Sequence, residues 1–140
     1  MREVTALLVT HNSASVIIKA LDSLEKRGVH EIVVVDNASE DNTVSRIRKY
    51  FPEVKLVENT HNVGFGMACN AGLEEVNTPF ALLINPDAQL RKGSLRTLRE
   101  AAERYPEAAV LAPQLYGEDD KPQKSHKRSV LSEANRGKNY

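Results

Sequence analysis

A three-layer α/β/α fold around a mostly parallel sheet is the class this sequence predicts, on three observations. Its apolar runs are short, rich in β-branched residues and nearly unbroken. Stretches with helical periodicity separate those runs, and strand and helix alternate at short spacing as far as Ala112. Near-continuous apolar runs mark strands buried on both faces. Alternation of this kind yields parallel strands joined by right-handed crossovers.

The elements follow in order. Val4–Thr10 is the first strand. A helix over residues 16–26 comes next, with Ser13 or Ser15 as N-cap and Gly28 as its stop. Residues 31–35 form the second strand. The polar run Ser39, Glu40, Asp41, Asn42 leads into a helix over Thr43–Tyr50, closed by Pro52. Residues 54–58 are a short third strand. A helix over 67–76 carries Ala68, Ala71 and Leu73 as packing candidates. Residues 80–84 form the fourth strand, residues 94–105 a helix with Leu95 and Leu98 on one face, and residues 108–112 a fifth strand. Gly117 to Pro122 reads as a turn.

The totals bound the function. A length of 140 residues fits one domain. We divide it into the α/β domain over 1–115 and a basic, irregular segment over 116–140. Lysine plus arginine equal aspartate plus glutamate at 19 each, which excludes nucleic-acid binding through overall charge. The single cysteine, Cys69, excludes an internal disulfide, suggests a reducing compartment and reads as a buried, inert thiol. No apolar run approaches the ~20 residues that span a bilayer, and the N-terminus does not read as a signal peptide. The expected location is the cytoplasm or the cytosolic face of a membrane. From Lys121 onward six basic residues face one acidic residue. A solvated surface segment is the favoured reading of this tail, and peripheral contact with phosphate or anionic lipid is the alternative.

In open α/β sheets ligands bind beyond the carboxyl ends of the strands. Hydrogen-bonding side chains gather there: Thr10, His11, Asn12 and Ser13 after the first strand, Asp36 and Asn37 after the second, Asn59 to Gly66 after the third, and Asn85 and Asp87 after the fourth. The opposite loops look like plain connectors. Asp36 can accept from a ribose hydroxyl or a base N–H, or can simply cap a turn. Asp87 can hold a hard divalent cation whose shell a diphosphate completes, or can bond its own backbone in a Pro-containing turn. Asn62–Gly66 can bring backbone N–H groups to an anion, or be a tight turn needing positive φ. His11 and His61 fall on the same edge, where loop-packed histidines are the better reading than a metal pair. No G-x-G-x-x-G follows the first strand and no Walker A motif exists, which disfavours a dinucleotide or P-loop site.

Together these loops resemble family 2 glycosyltransferases, nearest the rhamnosyltransferase-like branch. The motifs are Val9–Ser13, Ile32–Ser39, Asn62–Gly66, Asn70–Gly72 and Leu83–Ala88, within a match over residues 4–128. The resemblance implies a GT-A, Rossmann-like fold and inverting transfer of a sugar from a nucleoside diphosphate donor with Mg²⁺ or Mn²⁺. The implied acceptor is a glycan or lipid-linked saccharide. Thr10, His11, Asn12, Asp36 and Asn37 would serve the nucleoside. Asn62, Gly64, Phe65, Asn70 and Asn85 would border the nucleotide and sugar, and Asp87 would coordinate the metal. The family usually has tyrosine at His11, and Asn85 stands at the first position of its Asp-x-Asp motif.

In that family the catalytic base is a carboxylate well downstream of the metal site, and this chain stops at Tyr140 before such a segment. The expectation is therefore a catalytic base missing from this chain. A donor-binding module or fragment without catalysis is the alternative to an active transferase. A nucleotidyltransferase is disfavoured because residues 10–15 carry neither Gly nor Lys or Arg. A receiver-type signalling domain is excluded by the absence of its acids after the first and third strands.

Overall fold

The computed structural model describes residues 3–123 of the 140. The strands are β1 (Val4–Thr10), β2 (Glu31–Asp36), β3 (Lys55–Glu58) and β4 (Phe80–Leu83), and the helices are α1 (Ile17–Glu25), α2 (Thr43–Tyr50), α3 (Phe65–Leu73) and α4 (Ser94–Arg104). One sheet holds all four strands in the order β3-β2-β1-β4, every pair parallel. Thr10 pairs with Asp36, Asp36 with Glu58 and Leu7 with Leu83, so all four carboxyl ends share one rim.

Burial follows sheet position. The central strands β1 and β2 are buried almost throughout, whereas the edge strands β3 and β4 are only partly covered. Ala6, Leu8, Ile32 and Val34 face one side and pack with Ile17, Ala20, Leu21 and Leu24 of α1, Ile47 of α2 and Leu95 of α4. The i, i+3, i+4, i+7 spacing along α1 is the apolar stripe that this packing requires. Leu7, Val33 and Val35 face the other side against Ala68 of α3. The chain steps outward from β1 to β3 with α1 and α2 on one face. It then returns past β1 to β4 with α3 on the other face, as crossovers of a single hand demand.

Helix α3 departs from the sequence expectation in extent and in face. Gly64, at φ 83°, turns the chain and the helix starts at once at Phe65, two residues early. Its packed face is Ala68, Cys69 and Gly72, while Leu73 is 48% exposed. Small residues let the helix lie close on the sheet: a Cβ built on Gly72 would sit 2.3 Å from Leu7 Cδ1 and 2.9 Å from Val35 Cγ2. Cys69 is buried on this face, and burial pushes its thiol pKa up.

Two further expectations are corrected. Neither Ser13 nor Ser15 caps α1 with its side chain. The Ser13 carbonyl accepts from the amides of Val16 and Ile17, while the Ser13 hydroxyl donates to His11 O. The fifth strand over 108–112 does not form. Ala108, Ala109 and Val110 lie exposed, Val110 at 84%. Alanine has little β propensity and little area to bury, so the run lacks the packing that a strand needs. The Gly117 turn is present: Gly117 N donates to Lys121 O, and Tyr116 bridges Pro122. The Arg91 guanidinium lies 4.4 Å from the Tyr116 ring and pairs with Asp120, tying this turn to the loop before α4.

Replacing Gly72 by alanine forces a methyl into two packed side chains. Overpacking of this kind costs about 1–3 kcal/mol. The urea midpoint of Gly72→Ala should fall accordingly, and an unchanged midpoint would contradict the close approach of α3.

Candidate functional site

The chain runs outward through β2 and β3 and then returns to the far side of β1. The switch in direction therefore lies beside β1, which is where a crevice opens in such sheets. A cleft of about 340 Å³ is found there, lined by Val9, Thr10, His11 and Ser13 after β1, Asn37 after β2, Asn62 and Phe65 after β3, and Asn85 and Pro86 after β4. Loops from all four strands contribute.

Asp36 lies beneath this surface, 3% exposed. A buried carboxylate must be satisfied by donors, and it accepts three hydrogen bonds: Thr10 Oγ1 at 3.0 Å, Ser39 N at 2.8 Å and Ser39 Oγ at 2.6 Å. The Ser39 hydroxyl in turn accepts the Asn12 amide at 2.8 Å. Ala38, between these partners, is held at φ 61°, a left-handed conformation costly for a residue with a Cβ and sustained by the bonds on either side.

Asn37, also 3% exposed, joins the loops after β1, β2 and β3. Its Oδ1 accepts Val63 N at 3.0 Å and Asn59 Nδ2 at 3.2 Å. Its Nδ2 donates to Asn62 Oδ1 at 2.8 Å, and its carbonyl lies 2.9 Å from His11 Nδ1. Asn62 Oδ1 also takes the Gly64 amide at 2.9 Å.

A second tie joins the first loop to α2. Asn12, at φ 51°, accepts the Glu40 and Asp41 amides through Oδ1. Ser13 N donates to Thr43 Oγ1 at 2.8 Å, and Ala14 N donates to Asp41 Oδ2 at 3.1 Å. Asp41 Oδ1 holds the start of α2 by accepting both the amide and the hydroxyl of Thr43. Partial burial opposes ionisation of Asp41, but the bonds from Thr43 and Ala14 outweigh it and hold the carboxyl below its ordinary 3.8.

Thr10, His11, Asn37, Asn62, Phe65 and Asn85 thus meet in one cleft. Gly64 adjoins it as the residue that turns into α3. Asp36 sits beneath it and the exposed Asn12 lies outside its lining, both bonded to neighbouring loops. Asn70 is exposed on α3 and lies outside the cleft lining. Asp87 is exposed just beyond Pro86 and on the same rim as Asp36. The ends of β2 and β4 are two strand spacings apart, about 10 Å. The roles of Ser39, Asp41, Thr43 and Asn59 as ties were not assigned from the sequence. The Asp41–Thr43 spacing, an aspartate two residues before a helical threonine, is the signal that could have exposed one of them. Among the described residues no group of three or more His, Cys, Asp or Glu gathers to hold a metal ion.

Residues 5–140 match the sequence family described as Glycosyl transferase family 2. N-acetylglucosaminyl-diphospho-decaprenol L-rhamnosyltransferase of Mycobacterium tuberculosis (strain CDC 1551 / Oshkosh) is 29% identical over 93 residues, 59% of this chain and 30% of that protein. Succinoglycan biosynthesis protein ExoO of Rhizobium meliloti (strain 1021) is 34% identical over 104 residues, 72% of this chain and 30% of its own length. Among solved structures, S. aureus TarS 1-349 in complex with UDP superposes with a TM-score of 0.66 at 25% identity, covering 74% of this chain and 32% of that one. The three-layer sheet is a GT-A, Rossmann-like fold. The chain spans about 30% of the length of these two curated relatives.

Two outcomes follow. Asp36→Ala strands buried donors that met a carboxylate, a loss of about 1.5–3 kcal/mol for bonds to a charged group, readable as a lower urea midpoint. Asp41 has its pKa lowered on folding, so its stabilisation is complete well above 3.8 and is lost as pH falls through its folded value. Melting temperatures followed from pH 6 downward should therefore fall less steeply in Asp41→Asn than in the parent at the acid end.

Proposed function

This chain belongs to glycosyl transferase family 2, and from that premise we propose that it supplies the donor site of an enzyme moving a sugar from a nucleoside diphosphate to an acceptor hydroxyl with inversion. The observation that carries this reading is the cleft at the switch beside β1, where the loops of all four strands present polar groups around one volume. A relative crystallised with UDP supports a nucleoside diphosphate as the ligand class.

Each residue then has a task that follows from its surroundings. Thr10 and His11 form one wall for the nucleoside, with Asp36 behind them holding Thr10 in place. Phe65, 55% exposed, offers an apolar wall to base or sugar. Asn62 and Asn85 offer amides from the loops after the two edge strands, and Gly64, at φ 83°, turns the chain into α3. Asn12 and Asn37 hold the loops in register, and Asn70 stands further out on α3.

A divalent cation, Mg²⁺ or Mn²⁺, fits the donor chemistry at the β4 end. Asp87 offers an exposed carboxylate and Asn85 an amide oxygen at the mouth of the cleft. A hard cation takes such oxygens together with phosphate oxygens. With a single carboxylate here, the site suits an ion that shares its shell with a diphosphate. When bound, such an ion stabilises charge growing on the departing diphosphate. The acceptor hydroxyl also needs a base, and none of the residues lining the cleft is a carboxylate. That observation favours a second reading, nucleotide-sugar binding without transfer by this chain alone. Incubation with donor, Mn²⁺ and acceptor separates the two: sugar transfer or donor hydrolysis supports the first, and binding without turnover supports the second.

The donor site is tested by melting the protein with UDP-, dTDP- and GDP-sugars, with and without Mn²⁺. A ligand at 100 times its Kd stabilises the folded state by about 2.7 kcal/mol. At least one donor should raise Tm, and Mn²⁺ should raise it further. Asp87→Asn should lose the Mn²⁺ increment and keep the metal-free shift. No shift with any donor would overturn the proposal.

A further inference from the structure

The cleft carries more information than its lining, because backbone groups dictate which way its side-chain amides and its imidazole point. An amide N–H can donate only to an acceptor. Val63 N therefore identifies the atom facing it as Asn37 Oδ1, which turns Asn37 Nδ2 toward Asn62. Gly64 N identifies the atom facing it as Asn62 Oδ1. That oxygen receives both Gly64 N and Asn37 Nδ2. Asn62 Nδ2 has no hydrogen-bond partner among the described residues, and Asn62 lines the cleft. The Asn37 carbonyl is an acceptor, so the His11 nitrogen 2.9 Å away carries its proton on Nδ1. His11 Nε2 is then the lone-pair nitrogen in the neutral ring. Asn12 Nδ2 makes one long contact with it at 3.5 Å, weaker than a bond of ordinary length.

We infer that Asn37 is a positioning residue for the hydrogen-bond polarity of the cleft: its side chain, with the Gly64 amide, turns Asn62 into a donor, and its main-chain carbonyl turns His11 Nε2 into an acceptor toward the bound nucleotide. The inference rests on the donor-site reading above and adds the residue on which the polarity depends. Asn37 is 3% exposed, and its contacts reach the loops after β1 and β3 at once. A residue so placed acts through its neighbours.

The chemistry makes a specific distinction between Asn37→Asp and a simple loss of packing. The substitution is nearly isosteric. One carboxylate oxygen can still accept from Val63 N and Asn59 Nδ2. The other now faces Asn62 Oδ1, acceptor against acceptor, and turning the Asn62 amide over exchanges that repulsion for a bond to the carboxylate at the cost of the Gly64 bond. Its oxygen then faces the ligand, and the Gly64 amide loses its partner. Asn62→Asp reaches the same end directly: one oxygen keeps the bonds from Asn37 and Gly64, and the other replaces the donor facing the cleft.

The test uses UDP as probe, with calorimetric titration of the parent, Asn37→Asp and Asn62→Asp, and with amide NMR of each without ligand. In Asn37→Asp the Gly64 amide resonance should move upfield as its hydrogen bond is lost. UDP binding should weaken about ten-fold or more in each single variant. An unmoved Gly64 resonance or parent-like affinity in Asn37→Asp would each overturn the inference while the donor site stands. Should Asn37→Asp unfold, Asn37→Ser is used, which removes the Asn37 donor without the repulsion and leaves the Gly64 amide alone to hold Asn62 Oδ1; it should bind UDP less tightly than the parent and more tightly than Asn62→Asp, and parent-like binding would overturn the inference. Absence of UDP binding in the parent would overturn the reading of the site as a UDP pocket and this inference with it.

Discussion

Burying a carboxylate at the end of a central parallel strand is costly unless donors surround it, and the organisation of the binding rim follows from how Asp36 meets that demand. Its three bonds reach Thr10 across the strand ladder and Ser39 along the chain, and Ser39 passes the restraint to Asn12. Asn37, the next residue, extends the same network through its amide to the loop after β3. Two consecutive side chains thus convert three flexible loops into one shaped surface. The left-handed backbone at Ala38 is the local strain that this arrangement tolerates.

The sheet makes that economy possible. Parallel pairing places every carboxyl end on one rim, so residues from distant parts of the chain arrive together without long loops. The reversal beside β1 opens the crevice. Helix α3 matters as much as the strands, because Gly64 turns the β3 loop over the rim and Gly72 lets the helix settle on Leu7 and Val35. The loop carrying Asn62 and Phe65 is therefore held at both ends, by Asn37 on one side and by a closely packed helix on the other.

The division between ligand-facing and structural polar residues is finer than their shared position on the rim suggests. Thr10, His11, Asn12, Asp36, Asn37, Asn62 and Asn85 all lie within a few residues of a strand end. Yet Asp36, Asn12 and Asn37 bond to other loops, while Asn62 spends only its oxygen that way and Asn85 lines the cleft. The fold itself was legible in β1, β2 and α1, where unbroken β-branched runs and a clean apolar stripe leave one solution. It was less legible in α3, whose small residues carry almost no periodic signal, and over residues 108–112, where apolar composition did not lead to pairing.

What the sequence by itself determined is the order of elements, the parallel sheet and the edge on which chemistry gathers, because periodicity and strand burial are local properties written residue by residue. What only the tertiary structure decided is which polar side chain faces inward and which faces the ligand. That choice depends on partners more than twenty positions away, such as Thr10 with Asp36 and Asn37 with Asn62. No local pattern encodes a hydrogen bond whose donor and acceptor meet only once the sheet has formed.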